Sequence, residues 1–397
     1  MTAAQEVFAG MPLPPPGDAL ALAEALVRVD SRNPALENGG PGEIACAGLL
    51  ARTLDHWGFA VEVTEAAPGR PNVIARIGPT GGARILFNGH LDTVGVAGMT
   101  HPPYSAGVLE GRLYGRGACD MKGGIAAMCA AAWHANRSGQ LDCEAVIAAV
   151  ADEEDESIGT RALIAAGLHA DAAVVTEPTR LAIVPAHKGF AWTEVEFRGR
   201  AAHGSQYDVG VDAIRHAGLL LAEMHRWEKE ELLARTHPLL GRGSWHAGTI
   251  AGGSAFSVYP DLCTLRLERR SLPGEPVGDG VDEIERMLTR VREQGTEVSA
   301  GVRPVFAQHA LDIDVSEPVV RGLQSAAERT GIPATIAGLS AWTDAALLSA
   351  AGIPAVCFGP GDIALAHAAE EWVPVREIEM ASTVLTALLL DWTAASR

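Results

Sequence analysis

Arg84-Ile85-Leu86-Phe87-Asn88-Gly89-His90-Leu91-Asp92-Thr93-Val94 decides how the rest of the chain is read. Ile85, Leu86 and Phe87 make a short apolar run closed by Asn88-Gly89, the pattern of a buried strand. The run delivers an imidazole and a carboxylate spaced i, i+2. The same construction recurs further on. Ala145 to Val150 is nearly all apolar and leads into Asp152-Glu153-Glu154; Ala172-Ala173-Val174-Val175 leads into Thr176-Glu177-Pro178. Ala355-Val356-Cys357-Phe358 reads as a core strand, followed by Gly359-Pro360-Gly361 and then His367. In open α/β sheets the ligand site lies beyond the carboxyl ends of the strands. These islands are therefore expected to meet in space.

Between the strands the pattern changes to helix. Asp18 can cap a helix from Ala19 to about Val29, stopped by Asn33-Pro34. A second helix covers about Glu43 to Trp57, with Gly58 as its stop. A third follows Asp120 and runs to near Asn136, and Thr160 to Ala166 and Pro318 to Arg329 read as helical. Val61–Val63 and Val73–Ile77 read as further strands. Residues 187–306 have another texture. Phe190–Phe197 and Thr264–Glu268 alternate in the manner of half-exposed strands, and Glu297–Phe306 reads as a last strand. Gly210–Trp227 and Val281–Gln294 read as helices. The expectation is an α/β fold in two parts. A catalytic domain, residues 1–186 and 307–397, has a mixed, mostly parallel sheet flanked by helices. An inserted α+β domain, residues 187–306, has an antiparallel sheet and two helices.

The chain has 397 residues, 48% of them hydrophobic and 20% charged, as in a packed globular protein. Lys and Arg number 31 against 49 Asp and Glu, a formal net charge of −18. Such a surface argues against nucleic acid and anionic membranes as partners. The six cysteines are scattered, with no C-x-x-C pair, as expected of reduced thiols in a cytoplasmic protein. No signal peptide and no membrane span are expected.

The islands supply two imidazoles, His90 and His367, and the carboxylates Asp120, Glu153, Glu154 and Glu177. That set suits zinc, cobalt or manganese rather than a structural thiolate site. A pair of such ions activates water and polarises a carbonyl, and a carboxylate outside the ligand set then takes the proton. One of Glu153 and Glu154 can bind metal while its neighbour faces the substrate, because adjacent side chains at a strand end diverge. Asp92 can accept the second N–H of His90 and fix its tautomer. His203, in Arg200-Ala201-Ala202-His203-Gly204-Ser205, reads as a polar turn residue or as an oxyanion donor brought in by domain closure or a second subunit. Arg270 can hold a substrate carboxylate in a bidentate fork.

Taken together, these islands resemble the M20 metallopeptidase family over nearly the whole chain. The resemblance rests on Gly89–Val94, Gly115–Gly124, Asp152–Glu154 with Gly159-Thr160, Ala202–Ser205, and Gly359–Gly361 to His367. It implies that Asp120 bridges two metal ions. His90 and Glu177 complete one site, Glu154 and His367 the other. Glu153 is the general base, Asp92 orients His90, and His203 stabilises the oxyanion across a homodimer built through the inserted domain. A cis peptide at Asp120-Met121 is implied as well. Ser257 stands where the family often has asparagine, thirteen residues before Arg270, and Gln206-Tyr207 follows Ser205 where x-Pro is common; both bear on substrate shape.

The expectation is therefore a hydrolase with two divalent ions, Zn2+ first and Co2+ or Mn2+ as alternatives. It removes an N-acyl group from an N-acyl-amino acid, as acetylornithine deacetylases do. The alternative within the family is a dipeptidase or glutamate-carboxypeptidase-like exopeptidase. The alternative outside enzymes is a silent ligand-binding relative, but no ligand and no base is lost from this sequence.

Overall fold

A computed structural model describes residues 12–276 and 278–393. The chain divides into two compact units. The first comprises Met1–Pro185, Ile313–Ala337 and Thr343–Arg397, and the second Ala186–Asp312 with Gly338–Trp342. Ala186 and residues 307–312 and 338–342, expected in the catalytic domain, thus fall in the second unit.

The centre of the first unit is a run of parallel strands. Ala83–His90 pairs in parallel with Cys143–Val150 on one side and with Ala172–Val175 on the other. Ala355–Cys357 adds in parallel beyond Ala172–Val175. Arg70–Ile77 and then Ala60–Ala67 extend the other edge antiparallel, so the sheet is mixed. Ile85, Phe87, Ala145, Ile147 and Ala149 sit in one core cluster with the residues of surrounding helices. The alternate residues Leu86, Val146 and Ala148 are buried too, at 0%, 1% and 0% exposure. Successive strand side chains point to opposite faces, so both faces of this sheet are covered. That is why these strands read as continuous apolar runs.

Helices Ala19–Val27, Gly123–Arg137, Pro318–Thr330 and Val375–Asp391 contribute to the same core. Asp18 caps the first, accepting from Ala21 N at 2.9 Å. Gly124 is required by packing: a Cβ there would lie 2.0 Å from the Thr176 carbonyl oxygen. The helix start therefore rests directly on the end of the Ala172–Val175 strand.

The second unit carries an antiparallel sheet in the order Ser244–Gly252, Leu262–Ser271, Gly189–Arg198, Ser299–Gln308. Val195, Phe197, Leu265 and Leu267 point into a core shared with helices Ala213–Trp227 and Asp279–Glu293. Asp212 caps the first of these helices through Arg215 N at 2.9 Å, which sets its start three residues later than the pattern suggested.

Candidate metal centre

The parallel strands bring their carboxyl ends to one edge of the sheet. His90 is the last residue of its strand and pairs with Val150, the last of the next. Glu153 and Glu154 follow Val150, and Glu177 follows Val175. Asp120 arrives from the turn that precedes Gly123–Arg137, with a cis peptide between Asp120 and Met121. His367 arrives from the segment after Ala355–Cys357, with φ 60°.

The structure brings all six side chains together. Asp120 Oδ1 lies 3.0 Å from His90 Nε2, and Asp120 Oδ2 lies 3.5 Å from His367 Nε2. His367 Nε2 is also 2.9 Å from Glu154 Oε2. Ligand atoms of His90, Asp120 and Glu154 fall within 4.8 Å of one another, and so do those of His90, Glu153 and Glu177. Glu153 Oε2 is 4.0 Å from His90 Nε2. His90 is 1% and Glu177 3% exposed, whereas the His367 side chain is 53% exposed, at the open side of the cluster.

Asp92 behaves differently from its expected role. His90 Nδ1 meets the Asp92 backbone carbonyl oxygen at 3.0 Å, while the carboxylate stands at 3.6 Å. A carbonyl only accepts, so Nδ1 is the donor and Nε2 faces the carboxylates. The Asp92 carboxylate instead accepts from Glu153 N at 3.1 Å, Glu154 N at 3.2 Å and Asn33 Nδ2 at 2.8 Å. It holds the turn that carries both glutamates. Asn33 also donates to Asp152 Oδ1 at 3.0 Å.

The electrostatics call for cations. Four carboxylates share this buried volume with two imidazoles. Burial pushes the pKa values of Glu153, Glu154 and Glu177 up, and repulsion from neighbouring carboxylates, Asp120 among them, adds to it. Burial also works against an ionised Asp120, but hydrogen bonds from His367 and His90 outweigh it and hold that carboxyl below the usual range. Hydrogen bonds to Asp120 and Glu154 raise His367 to about 10. Burial opposes a charged His90, yet Asp120 and the other carboxylates raise it well above the ordinary value. Glu154 Oε1 is buried with no hydrogen-bond partner among the described residues. Oxygen and imidazole donors with an orphaned carboxylate oxygen fit divalent cations, whose charge relieves the repulsion.

His203, Ser257 and Arg270 lie in the second unit. His203 is exposed, with Nδ1 2.9 Å from Ser205 Oγ. Gly204 N donates to the Ser257 carbonyl oxygen at 2.7 Å, so the His203 and Ser257 loops are joined. The Arg270 guanidinium sits 5.4 Å above the Phe190 ring and pairs with Glu268. Asn33, Arg116 and Glu371 are contributors that residue-by-residue reading did not single out. The partners that tie them to the centre, Asp92 for Asn33 and Glu371 for Arg116, lie 59 and 255 positions away, so neither pairing shows locally, although Arg116 falls within the Gly115–Gly124 island.

The sequence match to the model for "Peptidase family M20/M25/M40" spans residues 86–391. An acetylornithine deacetylase from Myxococcus xanthus is 33% identical over 84% of this chain and 88% of its own length. An N-acetyl-L-citrulline deacetylase from Xanthomonas campestris pv. campestris is 31% identical over 90% of this chain and 93% of its own. Among solved structures, a tripeptidase from Staphylococcus aureus has the same fold, with a TM-score of 0.78 at 22% identity over 95% of this chain and 98% of that one. A family match over residues 86–391, with relatives at 33% and 31% identity along most of their length, places this chain in peptidase family M20/M25/M40, and it is a hydrolase of amide bonds.

Proposed function

We propose that the protein is a di-metal amidohydrolase that removes the acyl group from an N-acyl-amino acid. The observation that carries this reading is the position of Asp120. Its two oxygens face His90 at 3.0 Å and His367 at 3.5 Å, as a carboxylate shared between two cations must. His90 and Glu177 would hold one ion and Glu154 and His367 the other, zinc first. Bound there, the ions supply Lewis acidity toward the amide carbonyl and toward water. Glu153 takes the proton of the attacking water and passes it to the leaving amine. Asp92 fixes the backbone of Glu153 and Glu154, so the base keeps its place through the cycle. The two deacetylases at 33% and 31% identity support an N-acyl-amino acid as substrate. In the second unit, Arg270 offers a fork for the substrate carboxylate, and His203 a donor to the oxyanion.

A homodimer through the second unit accords with its edge strand. Ser244–Gly252 pairs on one side with Leu262–Ser271, and its residues from His246 onward are exposed. An open strand edge of this kind invites pairing. Cys46, Cys119, Cys129, Cys143, Cys263 and Cys357 are all buried free thiols, which supports a reducing, cytoplasmic setting. No helix among the described residues is long and apolar enough to cross a membrane.

The test is Glu153→Ala assayed against N-acetyl-, N-succinyl- and N-formyl-amino acids beside dipeptides, with added zinc or cobalt. Turnover should fall by at least about 100-fold, the range assigned to a general base, with metal content near that of the parent. Retained turnover removes Glu153 from the mechanism. Dipeptides hydrolysed faster than every acylated amino acid would make the protein an exopeptidase instead.

A further inference from the structure

Glu371 is fully buried and lies four residues after His367, on the same segment. Its Oε1 accepts from Cys119 N at 3.0 Å and from Asp120 N at 3.1 Å. Its Oε2 accepts from Gly117 N at 3.1 Å and from Arg116 Nη1 at 2.6 Å. Gly115 N donates to the Glu371 carbonyl oxygen at 3.2 Å. One carboxylate thus gathers three backbone N–H groups of the turn that ends on Asp120. Gly117, with φ 78°, bends that turn so that its amides converge on one anion. The guanidinium of Arg116 is 3% exposed and completes the link, since Nη2 reaches the Ala368 carbonyl oxygen, one residue past His367, at 3.4 Å.

We propose that Glu371, completed by Arg116, is a positioning residue: it locks the Asp120 turn to the His367 segment and so sets the metal affinity of the site those two ligands share. The inference rests on the two-metal reading given above. Its physical basis is the fit between donors and acceptor. Backbone N–H bonds to a carboxylate are charge-assisted and directional. With four donors on two oxygens, the turn has little freedom to tilt Asp120 away from His367. A carboxamide at 371 keeps the size but presents an NH2 to one pair of these donors, leaving buried N–H groups facing N–H. Asp120 and His367 come from segments nearly 250 positions apart in the chain (367 − 120 = 247). Without such a tie, their separation depends on the packing of two loops.

The experiment compares the full chain, its Glu371→Gln variant and its Arg116→Met variant, each stripped of metal and titrated with Co2+. Affinity is followed by calorimetry and the ligand field by visible absorption. Thermal unfolding of the metal-free proteins reports the fold. The unsubstituted chain should take up two Co2+. Glu371→Gln should bind the weaker of the two about 10- to 100-fold less tightly, the usual effect of losing a partner that orients a ligand. Its visible bands should change in shape at saturating Co2+. At that saturation kcat should fall with KM nearly unchanged, because no group that touches substrate is altered. Arg116→Met should shift affinity in the same direction by a smaller factor. Parental Co2+ affinity and spectrum in Glu371→Gln overturn the proposal. If that variant does not fold, parental affinity and spectrum in Arg116→Met overturn it equally. Failure of the unsubstituted chain to bind Co2+ sinks the metal reading itself and this inference with it, an outcome distinct from a parental result in the variants alone.

Discussion

At the scale of single residues, the centre is organised around protons that metal ions must displace. In the metal-free protein His90 is raised well above its ordinary pKa and His367 is raised to about 10, both by the carboxylates they touch. The carboxylates thus favour the charged imidazoles, and an ion can bind at Nε2 of either only once the proton there has left, while His90 keeps its Nδ1–H on the Asp92 carbonyl oxygen. Loading the centre at pH 7 should release protons, from the imidazoles and from the glutamates whose pKa values burial raises, read from calorimetry in buffers of different ionisation enthalpy. Since raised pKa values extend proton competition upward, metal affinity should keep rising as pH increases from 6 toward 10. Release near zero would mean that the imidazoles are not ligands. Most of the residues that meet here were legible, because His90, Glu153, Glu154 and Glu177 end or follow apolar strands and Asp120 precedes a helix, whereas His367 lies ten residues past Ala355–Cys357. What each atom does was less so. The spacing of His90 and Asp92 gives proximity, but it does not say that the carbonyl, rather than the carboxylate, takes the imidazole proton. The burial of Glu371 beneath the Asp120 turn left no mark either, as the partners of its carboxylate are 251 to 255 residues distant.

At the scale of elements, the site exists because parallel strands end together. Cys143–Val150, Ala83–His90, Ala172–Val175 and Ala355–Cys357 are consecutive neighbours in the sheet. Their apolar runs are visible in sequence, since both faces are covered and no polar alternation interrupts them. The close seat of Gly123–Arg137 on this sheet is testable. Gly124→Ala places a methyl group 2.0 Å from the Thr176 carbonyl oxygen, against backbone that cannot swing aside. The variant should lose about 1–3 kcal/mol of stability, the range for overpacking, in urea unfolding of the metal-free protein. An unchanged midpoint would show that the helix start is not seated there. Other elements escaped the sequence reading for physical reasons. Ser244–Gly252 is an edge strand exposed from His246 onward, with a register shift, so past Trp245 it has no inward-outward alternation. Val375–Asp391 begins after Pro374 without a side-chain cap, so nothing local announces its start.

At the scale of the molecule, composition and interruption of the pattern carried real information. The shift in texture near residue 187 marked the start of a second unit, whose own core joins two helices to an antiparallel sheet. The return was harder to see, because residues 338–342 rejoin the second unit after the chain has gone back to the first. Part of the net charge of −18 is concentrated in the four carboxylates of the centre, where bound cations would offset it. If the edge strand Ser244–Gly252 pairs with its counterpart in a second copy, light scattering should give twice the chain mass of 41.4 kDa. A mass of 41.4 kDa at working concentration would remove the dimer from the proposal. The claim on which all else depends is that Asp120 stands between two cations. Anomalous diffraction at the zinc edge from zinc-loaded crystals tests it most directly. Two peaks should flank the Asp120 carboxylate, about 3.5–4 Å apart, one beside His90 and one beside His367. A single peak, or peaks remote from Asp120, would contradict it.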